Sequence, residues 1–172
     1  MFSVPFDLAS SAQAMGEGKN RWYMSRFLRE MRQKVQSKAV QFPKLIDDHG
    51  YEAIQTFWDF DNRYTAPMHG FDSARDYYTK CSAIDFLKGI HVPTLAVNAR
   101  DDSFLGLSCF PESEANVHPF LTLEIPAHGG HVGFWDRSID GKIWSERRAV
   151  EFLTQAIRIH SHESGARRLH RE

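Results

Sequence analysis

The chain has 172 residues, of which 42% are hydrophobic and 25% charged, and this is enough for one domain with a hydrophobic core. Its 21 basic and 22 acidic residues nearly cancel, so the composition argues against nucleic acid as a partner. No apolar run approaches the ~18 residues of a membrane span, and the amino terminus lacks the pattern of a signal peptide. Two cysteines are too few for a disulfide framework. These features predict a cytoplasmic protein.

The amino-terminal residues look like the end of a strand that leads into a helix. Residues 2–6 form a short apolar run interrupted by proline, which is typical of the last part of a buried strand. Asp7 is placed to cap a helix from Leu8 to Met15, and glycines follow where that helix should stop.

The segment between about residues 19 and 85 has helical periodicity and no strand pattern. A long amphipathic helix is predicted to begin with Asn20 as its cap and to end before Pro43. Shorter helices are expected at about 49–60 and 73–81, on either side of a turn-rich stretch at 62–70.

The second half of the chain has an α/β pattern. Continuous apolar runs at 91–99 and 121–126 are typical of strands buried on both faces of a parallel sheet. The segment 101–120 between them is about as long as a crossover connection, and an amphipathic helix is predicted at 143–160 before the polar tail 161–172. Two strands and a fragment do not make a stable doubly wound sheet. The chain therefore resembles the carboxy-terminal part of a larger α/β fold.

Chemically versatile side chains follow both predicted strands. Asp101 and Asp102 come directly after the first strand, and the second strand leads into a glycine-rich loop that contains His128 and His131. The carboxyl ends of parallel strands are where ligands and catalytic groups collect in open α/β sheets. An Asp followed by a His has the order of the second and third members of a Ser–Asp–His triad.

Three other interpretations of these residues are open. An Asp pair after a strand often caps the next turn or helix. His128 and His131 could ligate a metal together with an Asp, although a third spaced ligand is not evident. Histidines in a glycine-rich loop can also be purely structural. The triad interpretation draws its strength from both elements occurring together in the right order.

Four motifs along the chain resemble those of the YheT-like α/β hydrolases. They are the cap-region run Phe60–Phe71, the segment Ser3–Leu8, the Asn-Ala-x-Asp-Asp-x-Phe turn Asn98–Phe104 and the Gly-Gly-His-Val-Gly-Phe loop Gly129–Phe134. Each motif is weak alone, but all four occur in the family's order across nearly the whole chain. The resemblance implies the carboxy-terminal portion of an α/β-hydrolase fold, with parallel strands and a helical cap insertion.

The resemblance also implies roles for the candidate residues. It assigns the triad acid to Asp102, with Asp101 as the less favoured candidate, and the base to His131, whereas His128 becomes a structural neighbour. Members of the family are serine esterases, so the implied substrate is a small-molecule acyl ester, and no cofactor or metal is implied. The implied organisation is a partial hydrolase domain at 1–160, with a helical cap at about 19–85.

One element of the family is not found in this sequence. A hydrolase of this type needs a Gly-x-Ser-x-Gly nucleophile elbow, and no such string occurs; the nearest, Gly106–Phe110, lacks the second glycine. The family's elbow and oxyanion hole lie upstream of the Ser3–Leu8 motif and would precede Met1, so we expect this chain to be inactive alone. The alternative is a non-catalytic half-domain that pairs with a partner sheet, or with another copy of itself, through an exposed strand edge at Val4.

The long amphipathic helix is strongly basic. Between residues 19 and 38, seven Lys or Arg side chains face a single acid, Glu30. The pattern favours a solvated outer face on a cap helix, and the functional alternative is a lid that contacts anionic lipid or an anionic substrate. Peripheral lipid contact through the helix at 20–38 is therefore a hypothesis.

Overall fold

The computed structural model describes residues 1–134 and 143–169, with side chains described through residue 158. The chain divides into two compact units. The sheet unit consists of Met1–Val4, Leu87–Asp102 and the chain from Pro111 onward, and the helical unit consists of Pro5–Phe86 and Ser103–Phe110.

The sheet unit contains two parallel strands. Strand β1 (Thr94–Val97) pairs with β2 (Leu121–Glu124), with Thr94 opposite Leu121 at the start of the register. Phe2 makes a single parallel bridge to Val97 on the other side of β1. The two predicted strands are therefore confirmed, whereas the predicted strand end at residues 2–6 is reduced to one bridge at Phe2, and β1 lies between Phe2 and β2.

A small aromatic core packs against β1. Leu95 and Val97 are buried together with Phe134, which follows β2 in the chain. The Phe134 ring lies 5.5 Å from the ring of Phe2 in an edge-to-face contact and 5.8 Å from that of Trp144 in a stacked one. Such aromatic pairs stabilise a fold by more than the burial of their apolar area alone. They hold the end of the segment after β2 close to the sheet.

Two helices complete the sheet unit. Helix α6 (Glu112–Val117) lies in the crossover, and α7 (Trp144–Leu169) follows β2. Arg148 of α7 donates from Nε and Nη2 to the carboxylate of Glu124 at 2.5–3.0 Å, a bidentate ion pair that ties α7 to β2. Helix α7 extends nine residues beyond the predicted end at 160, into the segment predicted as a polar tail.

The helical unit begins with the two helices predicted for it. In α1 (Leu8–Met15) the Asp7 carboxylate accepts the Ser10 N–H at 3.0 Å, so the predicted cap is confirmed. Helix α2 (Asn20–Gln41) buries an apolar stripe that includes Met24 and Leu28, also as predicted. The cap predicted for α2 is wrong, because Asn20 lies inside the helix.

The segment after α2 departs most from the prediction. Helical segments follow in the order 3₁₀ helix Tyr51–Ala53, α3 (Phe57–Phe60), π-helix Asp61–Thr65, α4 (Ala66–Met68), α5 (Ala74–Cys81) and 3₁₀ helix Ala83–Gly89. The helix predicted at 49–60 starts later, because Thr56 and Asp59 form a capping box. Most of the predicted turn at 62–70 is helical.

Hydrogen bonds of Asp61 explain why the chain stays helical there. Its carboxylate accepts the Thr65 hydroxyl at 2.5 Å and, through the other oxygen, the Tyr78 hydroxyl of α5 at 2.5 Å. Burial and this carboxylate raise the pKa of Tyr78. The π-helix is thereby fixed to α5, a tertiary contact that local sequence signals do not reveal.

Within the described residues, no helix is both long and apolar enough to cross a bilayer. The basic side of α2 carries Trp22, whose surface is 64% exposed, and the lipid contact proposed for this helix stays a prediction.

Candidate active site

The candidate residues lie at one edge of the sheet, where the two strands end. Asp101 and Asp102 follow β1, and the loop 127–134 follows β2. The parallel pairing continues past both strands, because the Arg100 N–H donates to the Pro126 carbonyl at 2.8 Å. The two segments therefore leave the sheet side by side, and the side chains of Asp102 and His131 can meet.

Asp102 and His131 form a direct pair. Asp102 Oδ2 lies 2.9 Å from His131 Nδ1, and the Asp102 side chain is fully buried. The His131 ring is 39% exposed, so it lies at the surface of the sheet unit. A buried carboxylate on Nδ1 selects the tautomer protonated at that nitrogen and leaves the lone pair on Nε2. This arrangement can hold a histidine ready to take up a proton.

Asp101 has different partners from its neighbour. Its Oδ1 accepts the N–H groups of Gly129 at 2.9 Å and Gly130 at 2.8 Å, and its Oδ2 lies 3.4 Å from His128 Nδ1. The Gly130 N–H lowers the pKa of Asp101, and the Gly129 N–H adds to this effect against the opposing influence of desolvation. The two adjacent carboxylates thus bind different parts of one loop.

The other interpretations of these residues find less support in the geometry. The next helical turn, Leu107–Cys109, begins without a side-chain cap, so neither carboxylate caps it. In the described part of the chain, no three His, Cys, Asp or Glu side chains converge as a metal site. His128 is 90% exposed, and its Nδ1 lies 3.4 Å from Asp101 Oδ2, a long hydrogen-bond distance. Both observations fit a position at the periphery of the loop.

The glycines of the loop explain its shape. Gly130 has a φ of +55°, in the left-handed region that glycine adopts at no steric cost. A Cβ added to Gly129 would lie 2.8 Å from both the Ala99 methyl group and the Phe134 ring, so a side chain has no room there. The Phe134 N–H donates to the Gly129 carbonyl at 2.9 Å and closes the loop around His131.

Sequence reasoning missed two residues that support the histidine loop. The Ser3 hydroxyl donates to the carbonyl oxygen of His131, and Ser3 itself has a φ of +53°, a sterically unfavourable value for serine. Asn98, buried at the end of β1, binds both backbone groups of Val4 through its amide. The signal available in the sequence was their position, since both are polar residues directly after strand segments at the same sheet edge.

Comparison with known proteins finds relatives that match most of this chain. The chain is 30% identical to the putative esterase YheT of Escherichia coli over 92% of its length, corresponding to 47% of that protein. It is 29% identical to the phospholipase ABHD3 of Mus musculus over 94% of its length and 40% of the relative. It is 31% identical to the monoacylglycerol lipase of Saccharomyces cerevisiae over 88% of its length and 35% of the relative.

This chain spans less than half the length of each of these relatives. No protein-family profile and no solved structure matches it. The similarity to these relatives nevertheless runs through nearly the whole chain, and the parallel strands with a preceding helical segment are consistent with part of an α/β-hydrolase fold. The chain therefore belongs to the YheT-like family of α/β hydrolases.

Proposed function

We propose that this chain supplies the acid and the base of a serine hydrolase that cleaves carboxylic esters through an acyl-enzyme. The observation that carries the proposal is the 2.9 Å pair of the buried Asp102 carboxylate and His131 Nδ1 at the carboxyl ends of β1 and β2. The relatives named as an esterase, a phospholipase and a monoacylglycerol lipase support a small-molecule acyl ester as substrate.

In this mechanism His131 Nε2 removes the proton of a serine hydroxyl as that oxygen attacks the ester carbonyl carbon. The proton then passes to the leaving alcohol, and an acyl-serine remains. Water, deprotonated by the same nitrogen, then attacks the acyl carbon. The bond from this carbon to the serine oxygen breaks, the proton passes from His131 to that oxygen, and the carboxylic acid leaves. Asp102 keeps its negative charge throughout and stabilises the imidazolium that forms at His131 in each half of the cycle.

The partners of the two carboxylates support Asp102, and not Asp101, as the acid. Asp102 is fully buried and faces the ring nitrogen, whereas the Asp101 side chain is 43% exposed and its Oδ1 is engaged by backbone N–H groups. A buried carboxylate interacts more strongly with the imidazolium, since less water screens the pair.

The serine would come from outside residues 1–172, because they contain no Gly-x-Ser-x-Gly elbow. We expect the chain alone to show no hydrolysis of p-nitrophenyl butyrate and no labelling by a fluorophosphonate probe. A chimera in which this chain replaces the matching residues of the Escherichia coli relative restores the elbow. We expect the chimera to be labelled and to hydrolyse the ester, and its His131→Ala variant to do neither.

His128→Ala is the matched control for this experiment, because the side chain belongs to the same loop but is 90% exposed. A chimera with native helical circular dichroism that is not labelled, while the intact relative is, would contradict the proposal. If the chimera does not fold, the chain alone provides a second test. The downfield proton resonance expected for His131 Nδ1 should be lost in Asp102→Ala, and its absence from the unaltered chain would contradict the proposed pair.

The second candidate is a non-catalytic half-domain that pairs with a partner sheet. The strand edge predicted at Val4 is not open, because Asn98 binds both the N–H and the carbonyl of Val4. The feature that favours pairing is an apolar stripe on α7 in which Val150, Leu153 and Ile157 are each at least 59% exposed. Self-pairing predicts that sedimentation equilibrium of the chain gives a dimer, and that Leu153→Glu with Ile157→Glu gives a monomer. A compact monomer of the unaltered chain at 100 μM would contradict self-pairing.

A further inference from the structure

We propose that Asp101 is the positioning residue of the histidine loop: its carboxylate fixes the backbone just before His131 so that the ring meets Asp102. This inference rests on the proposed function, in which His131 is the base. It assigns a separate task to each of the two adjacent carboxylates.

The first step of the argument is the geometry of the acceptor. A single oxygen, Asp101 Oδ1, accepts two successive backbone N–H groups, those of Gly129 and Gly130 at 2.9 and 2.8 Å. Two neighbouring N–H groups can point at one atom only when the backbone turns sharply between them, as in anion-binding nests. The positive φ of Gly130 provides that turn. The double contact with the carboxylate therefore depends on this loop conformation.

The second step is the place of these contacts in the chain. Gly130 directly precedes His131, so Asp101 fixes the backbone on the amino side of the histidine. The Ser3 hydroxyl holds the carbonyl on its other side, and Asp102 holds the ring. Each support acts on a different atom, and a ring whose backbone is free to rotate would lose the aligned contact with Asp102.

The third step concerns the strength of the contacts. Hydrogen bonds to an ionised acceptor are roughly twice as strong as those between neutral groups. The lowered pKa of Asp101 indicates that its ionised form is the one the loop binds. His128 also lies against Asp101, at 3.4 Å, and is largely exposed. The two loop amides lie closer to this carboxylate than His128 does, at 2.9 and 2.8 Å.

The test compares Asp101→Ala with Asp101→Asn in the chain itself. Asparagine retains an Oδ1 that can accept both N–H groups, whereas alanine has no acceptor. We expect Asp101→Ala to speed hydrogen exchange of the Gly129 and Gly130 amides by about tenfold or more and to broaden the His131 Nδ1 proton resonance. Asp101→Asn should restore both signals most of the way. Glu112→Ala is the control, since it removes an exposed carboxylate of the same unit that accepts a hydrogen bond from Arg100 at 2.9 Å.

Activity in the chimera provides a second readout, in which Asp101→Ala should lower kcat by roughly 10–100-fold with little change in KM, because the loss is one of alignment. Unchanged amide exchange in Asp101→Ala would overturn the inference, and so would an Asp101→Asn variant as damaged as the alanine variant, because the loop would then not depend on hydrogen bonds accepted by Oδ1. An inactive chimera with the expected exchange pattern would count against the proposed function and leave the positioning role of Asp101 supported.

Discussion

Replacing Asp102 with asparagine in the chimera is expected to lower kcat by about 10⁴-fold. Asparagine is nearly the same size as aspartate, so the buried site should still pack. Its amide can donate to Nδ1, however, and this would favour the tautomer of His131 that carries its proton on Nε2. That tautomer cannot accept the serine proton, and the imidazolium would also lose its counter-charge.

The measurement is kcat and KM for p-nitrophenyl butyrate, together with the rate of fluorophosphonate labelling, in the chimera and its variants. KM should change little, because the pair acts on the serine proton and not on ester binding. Asp101→Asn is the matched control: the same chemical change one residue earlier in the chain should leave most of the activity. Nearly full activity in Asp102→Asn together with loss of activity in Asp101→Asn would move the acid to Asp101 and contradict the assignment made from burial.

The same two residues show what the sequence could and could not predict about the site. Their position after an apolar strand, and that of His131 after the next one, was enough to place all three at one sheet edge. The distinction between the two carboxylates rested on the family resemblance alone, since neighbouring Asp residues look alike in a pattern. Burial and partner atoms separate them in the structure, and both depend on how the loop after β2 folds back.

Local signals predicted the fold well where the determining contacts are themselves local. Asp7 caps α1 through a residue three positions away, and β1 and β2 are read from apolar runs within each strand. Asn20 was predicted to cap α2 on the same kind of signal. Its side chain instead donates to the Ala14 carbonyl and accepts the Ser103 hydroxyl, 83 residues away, within the helical unit. A tertiary partner outweighed the local preference.

The sequence did not predict the π-helix at Asp61–Thr65, for a related reason. Its sequence contains Asp, Asn and Thr, which favour turns when they are judged locally. The Asp61 carboxylate is used instead by Thr65 and Tyr78, and the second of these partners lies in α5. Polar residues that find partners inside the fold lose their tendency to end a helix.

Asn98→Ala is expected to lower the free energy of unfolding of the chain by about 2–3 kcal/mol. Asn98 is fully buried, and its amide imitates a peptide group: Oδ1 accepts the Val4 N–H at 2.8 Å and Nδ2 donates to the Val4 carbonyl at 2.9 Å. It thereby continues the parallel pairing of the amino-terminal segment with β1 past the bridge at Phe2. Alanine would remove both bonds and leave a small cavity beside partly buried backbone groups.

In urea denaturation this effect should appear as a lower midpoint concentration of urea. The slope of the unfolding free energy against urea concentration should not change. Thr94→Val is the matched control, because it removes one exposed hydrogen bond from the same strand, that of the Thr94 hydroxyl to the Val92 carbonyl, and keeps a β-branched side chain. It should change the unfolding free energy by less than about 0.5 kcal/mol. An Asn98→Ala variant as stable as this control would mean that water replaces the amide at no cost, and the amino-terminal segment would then not depend on Asn98.

The Asn98 contacts also connect stability to the site, because Val4 is the neighbour of Ser3. Loosening Val4 should release the Ser3 hydroxyl from the His131 carbonyl, so Asn98→Ala should speed exchange of the loop amides near His131 more than Thr94→Val does. Faster exchange confined to residues 1–4, with the loop unchanged, would show that Ser3 is dispensable for the loop. The contacts of Asp101 and Asp102 would then be sufficient to hold the histidine.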